Sequence, residues 1–188
     1  GAAKNQKLMK QIGAAVAKEV ASTGIIWTFA PTIAVPQNDL WGRTYEGYSE
    51  DASLVSELGK NFIIGLQGEN EKFLDKYHVL ATANHFLGDG GTNNGVDQGD
   101  TIIDESSLKN IHGKPYYDAI DVCAISVMAS FNSWNGIKSH GNKYLLDDIL
   151  KSQMEFNGFV VGDWNGHGQL PECEDANFPE AFNAGVDV

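Results

Sequence analysis

Apolar residues recur at three- and four-residue intervals over residues 5–22 (Leu8, Ile12, Ala15, Val16, Val20), which predicts an amphipathic helix ended by Thr23-Gly24. The run IIWTFAP at 25–31 reads as a buried strand, and a long polar loop follows from Thr32 to about Asp51. A second helix starts near Asp51 and carries Leu54, Val55, Leu58, Phe62, Ile63 and Leu66 on one face. HVLATA at 78–83 reads as the next strand and leads into the glycine-rich stretch FLGDGGTNNGVDQGDT. A helix around Tyr116–Ile120 precedes a third strand at 124–131 (AISVMASF). Another helix spans about Lys143 to Met154 and is capped by Asn157-Gly158. FVVGDW at 159–164 is the fourth strand. A helix near Pro179–Ala184 then leads to GVDV, the start of a fifth.

Strands alternating with helices imply right-handed βαβ units and a parallel sheet. Chemistry in such sheets sits on the loops at the carboxyl ends of the strands. Here those loops are long and polar while the return loops are short, which favours a barrel-type active face. A complete (β/α)8 barrel takes about 250 residues. The chain, at 188 residues, has room for about half of one. The expected fold class is therefore α/β, a single domain over 1–188 of parallel βα units forming about half of a TIM-type barrel. Because it opens on a helix and stops on a strand, both ends read as cut.

Composition narrows the partners. Hydrophobic residues make up 42%, enough for a sizeable core, so a disordered tail is excluded. No apolar run approaches the roughly 20 residues of a membrane-spanning helix, and GAAKNQKLMK at the start lacks the apolar core of a signal peptide. A net charge of −12 argues against nucleic acid and against an anionic membrane surface, both of which need clustered cations. It suits a neutral small molecule or carbohydrate. Cys123 and Cys173 form no CxxC pair, and Cys123, in DVCAISVMA, is expected to be a buried thiol. The five histidines show no HExxH-type spacing, so no metal site is expected.

Four segments carry candidate chemistry. In GFVVGDW, Asp163 follows an apolar strand and Trp164 follows it. A carboxylate beside an aromatic platform suits attack on a sugar's anomeric carbon, although a strand-end Asp also caps turns. In TANHFLGDGGT, Asn84 and His85 lie at a strand end, and glycines 88, 90 and 91 let the backbone turn beside a ligand. A phosphate loop fails there because no Lys-Ser/Thr follows, while a purely structural histidine stays open. In WGRTYEGYSED, Arg43 could clamp hydroxyls or pair with Glu46 or Asp51 merely to fix the loop. In SVMASFNSWNG, Phe131 and Trp134 offer apolar surface for a pyranose ring or for the core.

Together, FAPTIAV, WGRTYEGYSED, NHFLGDGGT, SVMASFNSWNG and GFVVGDWNG resemble the N-terminal barrel of glycoside hydrolase family 3, in particular its β-glucosidase and exo-β-glucanase branch. They occur in the family's order and cover nearly the whole chain. The resemblance implies a retaining mechanism with Asp163 as nucleophile. It implies Arg43 and His85 on the hydroxyls of the nonreducing-end glucose, and Trp164 lining the same subsite. Asn84 stands where the family usually has Lys; it can still hydrogen-bond a hydroxyl but brings no charge. Phe131 stands where some relatives have Tyr. The loop lacks the Asp-Ser-His pattern of the family's β-N-acetylglucosaminidases. The implied partners are β-linked glucosides or gluco-oligosaccharides, with no cofactor, and relatives suggest a periplasmic or secreted setting. In this branch a second domain supplies the Glu acid/base, which lies outside this chain. The rival expectation is a noncatalytic fragment, binding sugar weakly at most, whose exposed sheet edges drive self-association.

Overall fold

A computed structural model describes residues 1–171, 173–174 and 176–188. Helix α1 (Gln6–Ser22) opens on Asn5, whose side chain accepts the Leu8 N–H. Helix α2 (Ala52–Gln67) opens in the same way on Asp51, which accepts the Ser53 N–H, and closes on Gly68 at φ +74°. The two helices pack where Gly13 meets Gly65: a Cβ built on Gly13 would stand 3.1 Å from the Gly65 Cα. The missing side chains let the backbones approach. Val55, Leu58, Ile63 and Leu66 then point from α2 into the core, each contributing on the order of 1.5–3 kcal/mol by burial.

The main sheet is parallel, with β1 (Thr82–Phe86), β3 (Ser126–Ala129) and β6 (Phe159–Val161) in the spatial order β1-β3-β6. This matches the expected parallel βα arrangement, and the described strands form an open sheet, not a closed barrel. Its strands are buried almost throughout, as parallel strands covered on both faces must be. The segment expected as a strand at 25–31 runs beside residues 80–84, hydrogen-bonded to them at Ile26, Thr28, Ala30, Pro31 and Ile33, with bridges at Trp27–Leu80 and Thr32–Asn84. Pro31 has no N–H to give, and the pairing is not a regular strand ladder. At the other edge, Val188 donates to the Val160 carbonyl and accepts the Gly162 N–H at 2.7 Å, so GVDV does lie alongside β6.

Other boundaries shift. The strand expected at 78–83 is displaced to 82–86, which puts Asn84 and His85 inside β1 rather than past its end. The strands expected at 124–131 and 159–164 shorten to 126–129 and 159–161. The helix expected around 116–120 is α4 (Lys114–Asp121), extended backwards through a π-wound stretch (Leu108–Gly113) and a first turn, α3 (Glu105–Ser107). The helix expected over 143–154 is π-wound from Tyr144 to Gln153, and α5 (Pro179–Ala184) coincides with its expectation. Cys123 is exposed, contrary to expectation, because it sits at φ +63° in the turn after α4 and the buried apolar run starts only at Ala124.

Gln67 ties the lower ends of the strands. Its Nε2 donates to the Cys123 carbonyl at 2.8 Å, and its Oε1 accepts the Ala81 N–H at 3.1 Å. At the carboxyl ends a second small sheet forms from β2 (Asp100–Thr101), β4 (Ser133–Trp134) and β5 (Ile137–Lys138). It braces the glycine-rich loop: the Thr101 hydroxyl donates to the Gly88 carbonyl at 2.7 Å, and Asn132 Nδ2 donates to the Leu87 carbonyl at 3.2 Å. Gly90 lies against the 35–36 backbone, where a Cβ would come within 2.5 Å of the Val35 carbonyl oxygen. That glycine serves loop packing against the chain itself.

Candidate functional site

Parallel strands deliver their carboxyl ends to one side, and four distant segments meet there. Asp163 stands two residues beyond β6. Its Oδ1 accepts the Trp164 N–H at 2.6 Å, which leaves Oδ2 as the oxygen facing the site. Oδ2 lies 3.7 Å from His85 Nε2. His85 in turn reaches Arg43, whose Nη2 is 3.2 Å from the same Nε2. A guanidinium has only donors, so His85 Nε2 is the acceptor and Nδ1 carries the hydrogen. That hydrogen goes to Asp89 Oδ2 at 2.9 Å. Asp89 is itself fixed, because its Oδ1 accepts the Gly90 N–H at 2.9 Å.

Arg43 is held from its far side. Its Nε and Nη2 donate to the two Glu46 oxygens, each at 2.7 Å, a bidentate fork. Those hydrogen bonds raise the Arg43 pKa, with Asp89 and Asp163 adding to the effect through their charge. The same bonds hold Glu46 below the usual carboxylate range against its own partial burial. The result is a fixed cation beside an aimed carboxylate. Asp51, the other candidate partner of Arg43, is instead the N-cap of α2.

The remaining expected residues fall differently. Asn84, expected to meet a hydroxyl directly, is 2% exposed, and its carboxamide is already engaged. Its Nδ2 donates to the Phe29 and Thr82 carbonyls, and its Oδ1 accepts the Thr32 hydroxyl at 2.9 Å. Trp164 is 91% exposed and stands on the rim. Phe131 is half-buried, with its ring 5.8 Å from that of His140. Trp134 donates from its indole to the Ile103 carbonyl and stacks on Tyr144, so it supports the loops.

A cavity of about 430 Å³ adjoins Asp163 and Trp164 and is lined also by Phe29, Met128, His140 and Val161. Another, of about 540 Å³, lies by the C-terminal end of α2 near Lys10 and His78, away from the strand carboxyl ends. Among the described residues, no cluster of three His, Cys, Asp or Glu could hold a metal ion. No described helix is long and apolar enough to cross a membrane.

Two residues of this site escape a reading of the sequence. Asp89 stands inside one of the motifs, four positions after His85, a spacing that could have suggested the pair. His140 carries no signal at all, because it lies 23 residues from the residue it touches.

The whole chain, residues 1–188, matches the family model described as the glycosyl hydrolase family 3 N-terminal domain. It is 36% identical over 87% of its length to a β-xylosidase of Formosa agariphila, covering 23% of that protein. It is 30% identical over 98% of its length to a periplasmic β-glucosidase of Salmonella typhimurium, covering 24% of it. Among solved structures it superposes on an exo-1,3/1,4-β-glucanase from a Pseudoalteromonas species with a TM-score of 0.98, at 54% identity over 100% of this chain and 24% of that one. A β-glucosidase from Listeria innocua in complex with glucose matches at a TM-score of 0.90 and 29% identity, over 98% of this chain and 26% of that one. The chain thus spans about a quarter of the length of the relatives it matches.

Proposed function

The chain belongs to glycoside hydrolase family 3, as an N-terminal domain, and on that premise we propose that it carries the nucleophile half of a retaining, exo-acting β-glucosidase or β-glucanase. The supporting observation is the aim of Asp163. One carboxylate oxygen is held by the Trp164 N–H, and the other faces the Arg43–His85 pair, 3.7 Å from His85 Nε2. Oδ2 attacks the anomeric carbon of a β-glucoside as the bond to the aglycone oxygen breaks and that oxygen takes a proton from the acid/base; water, deprotonated by the same group, then hydrolyses the glycosyl-enzyme and frees Asp163. Arg43 donates to ring hydroxyls. At His85 Nε2, which has one lone pair, a sugar hydroxyl takes the place of the Arg43 Nη2 donor. Trp164 offers an aromatic face at the rim, and Phe131, beside the His140 ring, offers a further apolar surface. Asn84 acts beneath the subsite, holding Thr32 and the Phe29 carbonyl in place.

A retaining enzyme needs a second carboxyl group about 5–5.5 Å from the first. Glu46 is committed to Arg43 and Asp89 to His85, so neither is free to protonate a leaving group. The family resemblance puts this group in a second domain, and on that ground we assign the acid/base outside residues 1–188. The substrates are β-linked glucosides or gluco-oligosaccharides, by analogy with the relatives above. The test is incubation with 2,4-dinitrophenyl 2-deoxy-2-fluoro-β-glucoside followed by intact mass. The activated leaving group needs little acid assistance, so the reagent isolates the nucleophile. One glycosyl adduct, mapped to Asp163 and absent from Asp163→Asn, is the expected result. A folded protein that gains no adduct would refute the reading.

One feature favours a second reading, in which the chain acts through association. Ile26 and Phe29 on the edge segment are 79% and 59% exposed, an unusual exposure for apolar residues beside a sheet. Sedimentation that shows a concentration-independent monomer would discard it.

A further inference from the structure

The turn that aims Asp163 is held by a residue with no expected role. His140 is 2% exposed, in the turn Ser139–Gly141 that follows β5. Its Nε2 lies 3.0 Å from the Asp163 backbone nitrogen. The peptide N–H can only donate, so Nε2 accepts. The Ser130 backbone, just past β3, also lies close enough to favour the protonated ring. The imidazole therefore sits between the carboxyl ends of two neighbouring strands, β3 and β6. The ring packs closely against the Asp163 turn. A Cβ on Gly166 would overlap Cε1 and Nε2 of the ring, and one on Gly162 would stand 3.6 Å from Cδ2. Phe131 covers the ring from the side.

Building on the nucleophile role assigned to Asp163 above, we propose that His140 is a positioning residue for the glycosylation step: by accepting the Asp163 N–H it fixes the strand-to-loop turn from which Oδ2 is presented. Accepting requires an unprotonated Nε2. Burial pushes the His140 pKa down to about 4, against the nearby Asp163 charge and the Ser130 hydrogen bond, and with help from His167 and Lys138. The acceptor therefore survives across the pH range in which a carboxylate nucleophile works. A cationic ring would turn a donor towards the Asp163 N–H and release the turn.

The experiment compares wild type, His140→Leu and His140→Gln in the full-length protein, using the 2-deoxy-2-fluoro glucoside. Glutamine can place Oε1 near the position of Nε2, whereas leucine offers no acceptor. His140→Leu is expected to lower the adduct-forming rate at saturating reagent by roughly 10²-fold, the scale of a misplacement near 1 Å. The half-saturating concentration stays near wild type, and His140→Gln recovers most of the rate. A His140→Leu rate equal to wild type would overturn the proposal, as would a loss that glutamine leaves unrepaired in a folded variant. Long-range ¹⁵N–¹H spectra of the wild-type ring supply a reading that needs no variant and no turnover. A bare Nε2 coupled to the Asp163 amide is expected, and a protonated Nε2 refutes it. If wild type forms no adduct on Asp163, the assigned function fails, and those spectra still decide whether His140 holds the turn.

Discussion

Replacing Asp89 with asparagine exchanges one oxygen for an NH2 group at constant shape, and the structure dictates where the conflict arises. Asp89 accepts twice, from the Gly90 N–H and from His85 Nδ1, each at 2.9 Å. Asparagine has one acceptor oxygen. If that oxygen keeps the Gly90 N–H, its NH2 meets the His85 Nδ1–H donor to donor. His85 can escape only by moving its hydrogen to Nε2, where Arg43 Nη2 already donates from 3.2 Å. One donor is therefore left unsatisfied in a site where His85 is 5% and Asp89 7% exposed. A buried unsatisfied donor costs about 1–3 kcal/mol, which for a chain of this size lowers Tm by about 2–12 °C. If the same energy is lost at the transition state, adduct formation slows by about 5- to 160-fold. Thermal unfolding and fluoro-glucoside inactivation kinetics of Asp89→Asn, with ¹⁵N spectra of the His85 ring, check each step. A variant with wild-type Tm, wild-type rate and an unchanged tautomer would refute the reasoning.

Arg43→Lys keeps the charge but loses the fork to Glu46 and the reach to His85. Half-saturation by the fluoro-glucoside is expected to weaken by about 10-fold or more, and unchanged half-saturation would remove Arg43 from the subsite. Trp164→Ala removes a side chain 91% exposed, so stability should change by less than about 0.5 kcal/mol. Discrimination between aryl and disaccharide leaving groups should fall, and a Tm loss without that change would contradict the rim assignment. Burial pushes both His112 and His140 down to about 4, so between pH about 6.5 and 4 the unfolded chain takes up protons that the folded one refuses. Stability is then full above about pH 6.5 and falls as pH drops towards 4, by up to about 3 kcal/mol per histidine. Urea unfolding at pH 7 and 4.5 measures the difference, and equal midpoints would contradict it.

Local pattern carried much of the fold. Helices α1, α2 and α5 announce themselves through apolar periodicity and through caps such as Asn5, Asp51 and Gly68 that lie within a few residues of what they cap. Asp163 is likewise legible, since an acidic residue just after an apolar strand is a one-dimensional signal. Strand ends are less so. A residue joins a ladder only through the neighbour the fold brings beside it, so 25–31 is a bridged segment while β1 extends onto His85. Asn84 shows the same limit: its engagement with Phe29 and Thr32 exists only once the segment around residues 27–33 lies beside β1.

What the amino-acid sequence determined by itself was the order of elements, the half-barrel class and a first set of strand-end candidates, Asp163, His85 and Arg43 among them. Only the tertiary structure decided which of them touch. Asp89 fixing His85, Arg43 reaching across 42 positions to the same ring, and His140 holding the Asp163 N–H from 23 positions away are contacts between loops. Such contacts arise because parallel strands deliver their carboxyl ends to one side at fixed spacing, a property of the assembled sheet that no local window of residues contains.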